Sequence, residues 1–380
     1  MDFQPSEDQQ MLREMVRQFA EKEAQPTAAH RDDEAIWPTE LVKKMGGLGL
    51  LGVAVNEAYG GAGLDYISYA IVIEELSRVD ASLGVIASVN NSLVCYGIEQ
   101  FGSDAQKREI LTSLASGRTL GAFSLSEPGA GSDAAAQKTT AVRDGDDYVI
   151  NGVKNWVTNG NHADTIVLMA LTDPSKGVKG ITAFLADTHA PGCSIVKVEN
   201  KLGIRSAHSS QMAYDNFRVP LWRRLGEEGQ GFKVAMSILN AGRIGIAAQA
   251  LGIAQGAYEA ALGYSKLREQ FGKPIHEFQA VGFTLADMAT RIKAARLLTY
   301  EAAWRKDNGL DYTKDAAMAK VFASETAMWV TTKAIQLHGS NGYSKEYPVE
   351  RFFREAKITE IYEGTSEIQR LVISRELTRA

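Results

Sequence analysis

Cysteine is almost absent: Cys95 and Cys193 are the two in 380 residues. They lie far apart and outside any CxxC spacing, which excludes a disulfide framework and a cysteine-rich zinc site and fits a reducing compartment. The six histidines, His30, His162, His189, His208, His276 and His338, form no HxxxH or HExxH pair, so no metal is expected. Long runs of lysine and arginine are missing as well, and the net charge is −5. A nucleic-acid surface, which neutralises phosphates with clustered cations, is therefore not expected. No uninterrupted apolar run approaches the roughly 20 residues that span a bilayer. The opening, Met1-Asp2-Phe3-Gln4-Pro5-Ser6-Glu7-Asp8, is acidic where a secretory or transit peptide would be basic. The expectation is a soluble, intracellular protein without a membrane span.

Hydrophobic residues are plentiful at 45%, and the length exceeds that of one growing core, so two or three domains are expected. Ser6 and Gln9 form a capping-box pattern, followed by Met11, Leu12, Met15, Val16 and Phe19 at helical spacing. Helical stretches are predicted at 39–44, 67–79, 83–100 and 105–116. Beyond Gly117 the segments 139–142, 148–150, 153–157, 165–171, 181–185, 194–198 and 212–217 are short and rich in β-branched or aromatic residues. Asn151-Gly152 between two of them predicts a two-residue hairpin. Such strands indicate an antiparallel barrel or sandwich. From Gly229 the long helical periods 232–267, 278–307, 313–338 and 366–377 indicate a helical bundle. Gly242, Gly245, Gly252 and Gly256 inside the first of these call for close packing or ligand approach, because glycine there costs ~1 kcal/mol against alanine.

Four segments carry chemistry. In Ile361-Tyr362-Glu363-Gly364-Thr365-Ser366-Glu367-Ile368-Gln369-Arg370, Ser366 and Gln369 have the form of a capping box, with Glu363 in the loop ahead of the helix. Taken alone, Glu363 reads first as a solvated loop residue that favours the positive helix end, with a positioned base as the other reading. In Phe123-Ser124-Leu125-Ser126-Glu127-Pro128-Gly129-Ala130-Gly131-Ser132-Asp133, the Gly-x-Gly turn is a surface turn or a presenter of backbone N–H groups. It is not GxGxxG, so a Rossmann site is unsupported. Trp156, in Asn155-Trp156-Val157-Thr158-Asn159-Gly160, suits a core or the face of a planar ring. Arg268, in Arg268-Glu269-Gln270-Phe271-Gly272-Lys273-Pro274, is a helix-end cap or a pyrophosphate ligand.

In this order and spacing, the four segments resemble the acyl-CoA dehydrogenases, flavoenzymes that oxidise the Cα–Cβ bond of acyl-CoA thioesters, from end to end of the chain. The resemblance implies an α+β multidomain fold: a helical N-terminal domain (1–118), a central antiparallel β-barrel (119–228) and a C-terminal four-helix bundle (229–380). It implies FAD as cofactor. Phe123, Leu125, Ser126 and Ser132 would line the flavin, with Ser132 also touching CoA. Trp156 would lie beside the isoalloxazine, with Val157 next to it and Thr158 donating to its polar edge. Arg268 would meet the diphosphate, near Gln270, Phe271 and Gln279. Gln336 and Ser340 would reach the adenosine end in a neighbouring subunit, and Thr365 and Glu367 complete the cofactor set. Ser340 stands where family members typically have glycine.

Leu239-Asn240-Ala241-Gly242-Arg243 matches the segment on the CoA side, where many relatives carry aspartate in place of Asn240; Arg243 and Gly364 complete the implied substrate contacts. Long-chain and isovaleryl members place their catalytic glutamate at the position of Gly242, and short- and medium-chain members at that of Glu363. The resemblance therefore implies Glu363 as the α-proton base in a short- or medium-chain, butyryl-CoA-dehydrogenase-like member, with hydride passing to flavin N5. It also implies an electron-transferring flavoprotein as acceptor and a homotetramer built from two dimers, in bacterial cytoplasm or a mitochondrial matrix. Two other readings stay open: an acyl-CoA oxidase, and a non-catalytic relative that binds acyl-CoA or a flavoprotein.

Overall fold

The computed structural model describes residues 4–378; the acidic opening Met1–Phe3 lies outside the described residues. From Glu7 to Ala115 the chain is helical. The first helix starts on the expected capping box: Ser6 Oγ accepts from Gln9 N at 3.2 Å, and Ser6 N donates to Gln9 Oε1 at 3.0 Å. The helix Gln25–Glu34 was not expected, since it has little apolar periodicity. Tertiary ion pairs hold it instead, Arg31 to Asp80 at 2.5 Å and Asp32 to Arg354 at 2.7 Å. The expected helix 83–100 is real but interrupted, because Val89–Cys95 winds as a π-helix between Ala81–Ser88 and Tyr96–Phe101.

The middle of the chain forms an eight-stranded sheet: β1 (Gly121–Ser124), β2 (Thr140–Asp144), β3 (Asp147–Thr158), β4 (Thr165–Leu171), β5 (Ile181–Asp187), β6 (Cys193–Val198), β7 (Ser209–Pro220) and β8 (Arg224–Leu225). The expected antiparallel barrel is corrected in two respects. The sheet is mixed, since β1 pairs in parallel with β4 and β2 meets β4 in parallel at Thr140 and Leu171. It is also open: the order runs β6-β7-β3-β2-β4-β5-β8, and no ladder among the described residues joins the two ends. The whole β2–β3 hairpin separates β1 from β4, a connection long enough for parallel strands.

The hairpin turn lies elsewhere than expected. Asp144 pairs with Asp147, so Gly145-Asp146 is the two-residue turn, with Gly145 at φ 61°. Asn151-Gly152 continues β3 through a register shift against β7, where Asn151 Oδ1 accepts from Asn216 N at 2.8 Å. A Cβ at Gly152 would fall 2.7 Å from Thr139 Cβ, so close strand approach fixes that glycine.

After Gly229 come the helices Gly231–Leu267, Gln279–Asp307, Thr313–His338, Val349–Thr359 and Ser366–Thr378. Val349–Thr359 was not expected. Charged residues interleave its apolar ones, but Val349, Phe352 and Ala356 bury one face, and Arg351 Nη2 donates to Val79 O at 2.9 Å. Two helical stretches, Ala81–Phe101 and Gly231–Leu267, are long and apolar enough to cross a membrane, and both are mostly buried within the protein. Interleaved glycine, serine and asparagine hid this in the sequence. One apolar core spans both helical regions and one face of the sheet; Tyr148, Ile150, Phe184 and Phe217 belong to a second core within the sheet.

Candidate active site

The 360–365 loop links the last two helices and holds Glu363 at φ 53° and Gly364 at φ 94°. Left-handed backbone at a glutamate is sparsely populated and must be held by its surroundings. Here Gln369 Nε2 donates to Glu363 O at 3.2 Å and to Gly364 O at 2.8 Å, while Lys320 Nζ donates to Gly364 O at 2.6 Å. The expected Ser366 capping box is corrected by one residue. Thr365 Oγ1 accepts from Ile368 N at 3.4 Å, Ser366 is the first helical residue, and Gln369 reaches back to the loop carbonyls.

The Glu363 side chain points at the long helix Gly231–Leu267. A Cβ placed on Gly242 would collide with Glu363 Oε2 and lie 3.2 Å from its Cδ. That oxygen is shut off from solvent and has no hydrogen-bond partner among the described residues. Burial pushes the carboxyl up to about 7, against the opposing pull of Lys320 and Arg243. The same burial brings Lys320 down to about 8 and Arg243 to about 10, with Glu363 working the other way on both. Arg243 Nη1 donates to Asn240 Oδ1 at 2.6 Å, and Asn240 Nδ2 donates to Thr313 Oγ1 at 3.3 Å. Glu363, Gly364, Asn240 and Arg243 thus meet in one place. Lys320 was missed; its signal was a lone lysine among the alanines of 316–327. The other stripe glycines serve packing: Gly252 and Gly256 face the backbone of Glu74 and Arg78, and Gly245 faces the Tyr69 and Ser88 hydroxyls.

A second group lies on the sheet. Trp156 sits in the register shift between Lys154 and Val157, at φ 61° and 56% exposed. A β-bulge re-aims a side chain, and this one turns a tryptophan out of the core at a backbone cost. Val157 points the opposite way, into the sheet core, so its side chain does not share the Trp156 face. Leu125 is buried, Phe123, Ser126 and Thr158 are half-buried, and Ser132 is exposed. Lys154, also missed, is fully buried; its Nζ donates to Leu125 O at 2.8 Å and Gln137 Oε1 at 2.9 Å and pairs with Glu127 Oε1 at 3.0 Å. Glu127 in turn accepts from the N–H groups of Lys138 and Thr139 at 2.6 and 2.9 Å. The 123–132 segment and the Trp156 bulge are therefore tied to one buried lysine. A Cβ on Gly129 or Gly131 would meet nothing within 4 Å, so these glycines line open space. An outward indole beside an open glycine loop fits a planar aromatic cofactor with polar edges.

The third group is exposed. Arg268 follows the long helix, and Phe271 and Gly272, at φ 54° and 80°, turn the small β9 (Glu269–Gln270) and β10 (Lys273–Pro274) hairpin. Phe271 is 94% exposed. Arg268, Gln270, Gln279, Gln336, Ser340 and Glu367 are exposed as well, and Thr365 is half-buried. His338 stacks on Tyr264 at 4.3 Å, which holds the 336–341 segment at the hairpin end of the long helix. Within one chain, no hydrogen bond among the described residues joins this group to Glu363 or Trp156.

Comparison with known proteins agrees with this arrangement. The family models for the acyl-CoA dehydrogenase N-terminal, middle and C-terminal domains match residues 6–118, 122–217 and 229–378. A short-chain-specific acyl-CoA dehydrogenase of Clostridium acetobutylicum is 51% identical over 379 residues, covering 100% of both chains. The butyryl-CoA dehydrogenase of Megasphaera elsdenii superposes with a TM-score of 0.98 at 46% identity, covering 100% of each chain. A chain in the structure described as the electron transferring flavoprotein of Acidaminococcus fermentans superposes with a TM-score of 0.99 at 51% identity, again over 100% of each. Helical outer domains around a mixed sheet are the architecture this chain shares with these relatives, which are flavin-dependent oxidoreductases. The chain belongs to the acyl-CoA dehydrogenase family.

Proposed function

We propose that this chain desaturates the Cα–Cβ bond of a short-chain acyl-CoA to the trans-2-enoyl-CoA, with Glu363 as the base. One observation carries the reading: Glu363 Oε2 is buried, unpartnered and aimed over a glycine that leaves it room. A carboxyl near 7 is matched to abstracting a proton at neutral pH. The Glu363 N–H donates to no acceptor among the described residues and can polarise the thioester carbonyl, where enolate charge develops. Lys320 and Gln369 hold the Gly364 carbonyl and so fix that N–H in place. Arg243 and Asn240 orient the CoA side, with Ser132 reaching it from the sheet.

FAD, when bound, supplies the hydride acceptor. Trp156, Thr158, Ser126 and the 129–131 glycines would hold its ring system, and Arg268 its diphosphate, with Gln270, Phe271 and Gln279 beside it. Gln336 and Ser340 would serve the FAD of a neighbouring subunit, which the exposure of the whole group supports. The assembly proposed is a tetramer of two dimers, and the partner an electron-transferring flavoprotein, in bacterial cytoplasm or mitochondrial matrix. The domains are taken as 1–118, 119–228 and 229–380, the last read as a four-helix bundle with Val349–Thr359 added.

Anaerobic titration with butyryl-CoA tests the activity. Bleaching of the FAD-loaded protein is expected; no bleaching by any acyl-CoA would overturn the reading.

A further inference from the structure

Two histidines 46 residues apart in the sequence meet where the turn after β3 passes the start of β7. His162 Nε2 and His208 Nδ1 lie 2.9 Å apart, and the Asn161 side-chain amide stands 3.0 Å from the first and 3.1 Å from the second. The three groups therefore form a nearly equilateral triangle. A face of that size fits an ion about 2.0–2.1 Å from each corner, the ordinary reach of an imidazole nitrogen to zinc.

The groups are oriented to offer lone pairs. His208 Nε2 donates to Ala35 O at 2.9 Å, which leaves its Nδ1 bare and turned toward His162. Ligating histidines are commonly held this way, with the other ring N–H on a backbone carbonyl. Asn161 Oδ1 accepts from Ser210 Oγ at 3.1 Å. Turning the amide over gives Oδ1 to the two rings and lets Nδ2 donate to the same serine oxygen, so no partner is lost. Without an ion, an N–H on His162 Nε2 fills the gap by donating to His208. With one, His162 carries that proton on Nδ1 instead and three lone pairs converge. The two states differ only in a tautomer, an amide turn and the ion.

The support is rigid. Trp37 stacks on His162 with ring centroids 3.9 Å apart and planes at 15°. Asn159, fully buried, donates its N–H to His208 O at 3.0 Å and accepts from His162 N at 2.8 Å, while its Nδ2 donates to Gly121 O at 3.2 Å. The backbones of both histidines are thus tied to one residue. Asn161, His162 and His208 are each half-buried, which leaves water access to complete a coordination shell.

We propose that His162, His208 and Asn161 form a structural site for a first-row divalent cation of the zinc class, which suits imidazole ligands. The bound ion would clamp the 35–37 linker of the N-terminal domain, through Ala35 O and the Trp37 ring, to the strand ends of the sheet. Histidine spacing along one helix does not reveal it, because the ligands come from two separate turns. The site carries no step of the dehydrogenation.

Calorimetric titration of chelator-treated, FAD-loaded protein with Zn²⁺ at neutral pH, followed by thermal melts, tests the proposal. One Zn²⁺ per chain and a raised Tm are expected, with affinity at least about tenfold lower in His162→Gln and in His208→Gln. Absence of binding in the wild type, or equal affinity in both variants, would overturn the site. Asn161→Asp keeps the test decisive when the histidine variants do not fold. A carboxylate at the third corner should tighten Zn²⁺ by about tenfold, and an unchanged affinity would overturn the site as drawn.

Discussion

Glu363 and Gly242 occupy one site from two sides: the carboxylate of the first fills the space that a Cβ on the second would take. The loop before the last helix and the long helix can each present an acid to the same point, but not both together. A residue swap between the two positions is therefore a geometric exchange.

Gly242→Glu placed in a Glu363→Gly background is expected to recover part of the rate of flavin reduction. Recovery should be incomplete, since a misplacement of about 1 Å can cost ~10²-fold. Gly242→Glu alone should lower Tm and activity, because two carboxylates would share one buried pocket. Stopped-flow reduction and thermal melts of the three variants check this; a fully active, wild-type-stable Gly242→Glu would contradict the geometry.

Glu363→Gln is expected to slow flavin reduction by butyryl-CoA about 10²–10⁴-fold with FAD still bound. Wild-type rates of reduction and of α-proton exchange into deuterated water would place the base elsewhere.

For the pH dependence, burial raises the folded Glu363 carboxyl to about 7. The base must be ionised, so kcat/KM should climb through pH 7 with its lower limb near that value. Stability runs the other way. The folded state keeps a proton that the unfolded state releases above its ordinary carboxylate pKa, so this group's contribution falls as pH rises toward 7. Glu363→Gln should therefore raise Tm relative to wild type at pH 8 and leave it nearly unchanged at pH 4. Equal Tm differences at both pH values would show that the carboxyl is not perturbed.

The Glu127–Lys154 pair gives a prediction about the cofactor. Lys154 is fully buried and drawn down to about 8 by burial, with Glu127 acting against that fall. Burial would raise Glu127, but Lys154 and the neighbouring N–H groups carry it below its ordinary value. Glu127→Gln leaves a buried ammonium without its counter-charge, a loss of about 3–5 kcal/mol, and loosens the 123–132 segment. Weaker FAD binding and a lower Tm are expected, read by flavin fluorescence and denaturation; unchanged FAD affinity would separate the pair from the cofactor site.

Ser340 tests the neighbouring-subunit reading. Ser340→Gly should tighten FAD if the serine crowds a close backbone approach, and light scattering should show an oligomer. A stable monomer with full FAD and activity would refute it.

The local pattern of the chain was enough to determine the helix–sheet–helix order, the Ser6 cap, the loop position of Glu363 and the glycine stripe, because caps, periodicity and turns act over a few residues. Long-range contacts decided the rest. Asn151-Gly152 became a bulge rather than a turn because β7 and Thr139 lie against it. The Gln25–Glu34 helix, weak in apolar pattern, stands on ion pairs between residues remote in sequence. The parallel β1–β4 ladder and the outward turn of Trp156 depend on neighbours that no local window contains. The Glu363 carboxyl owes its raised proton affinity to the same cause: burial desolvates it, and only folding brings Gly242, Arg243 and Lys320 to it.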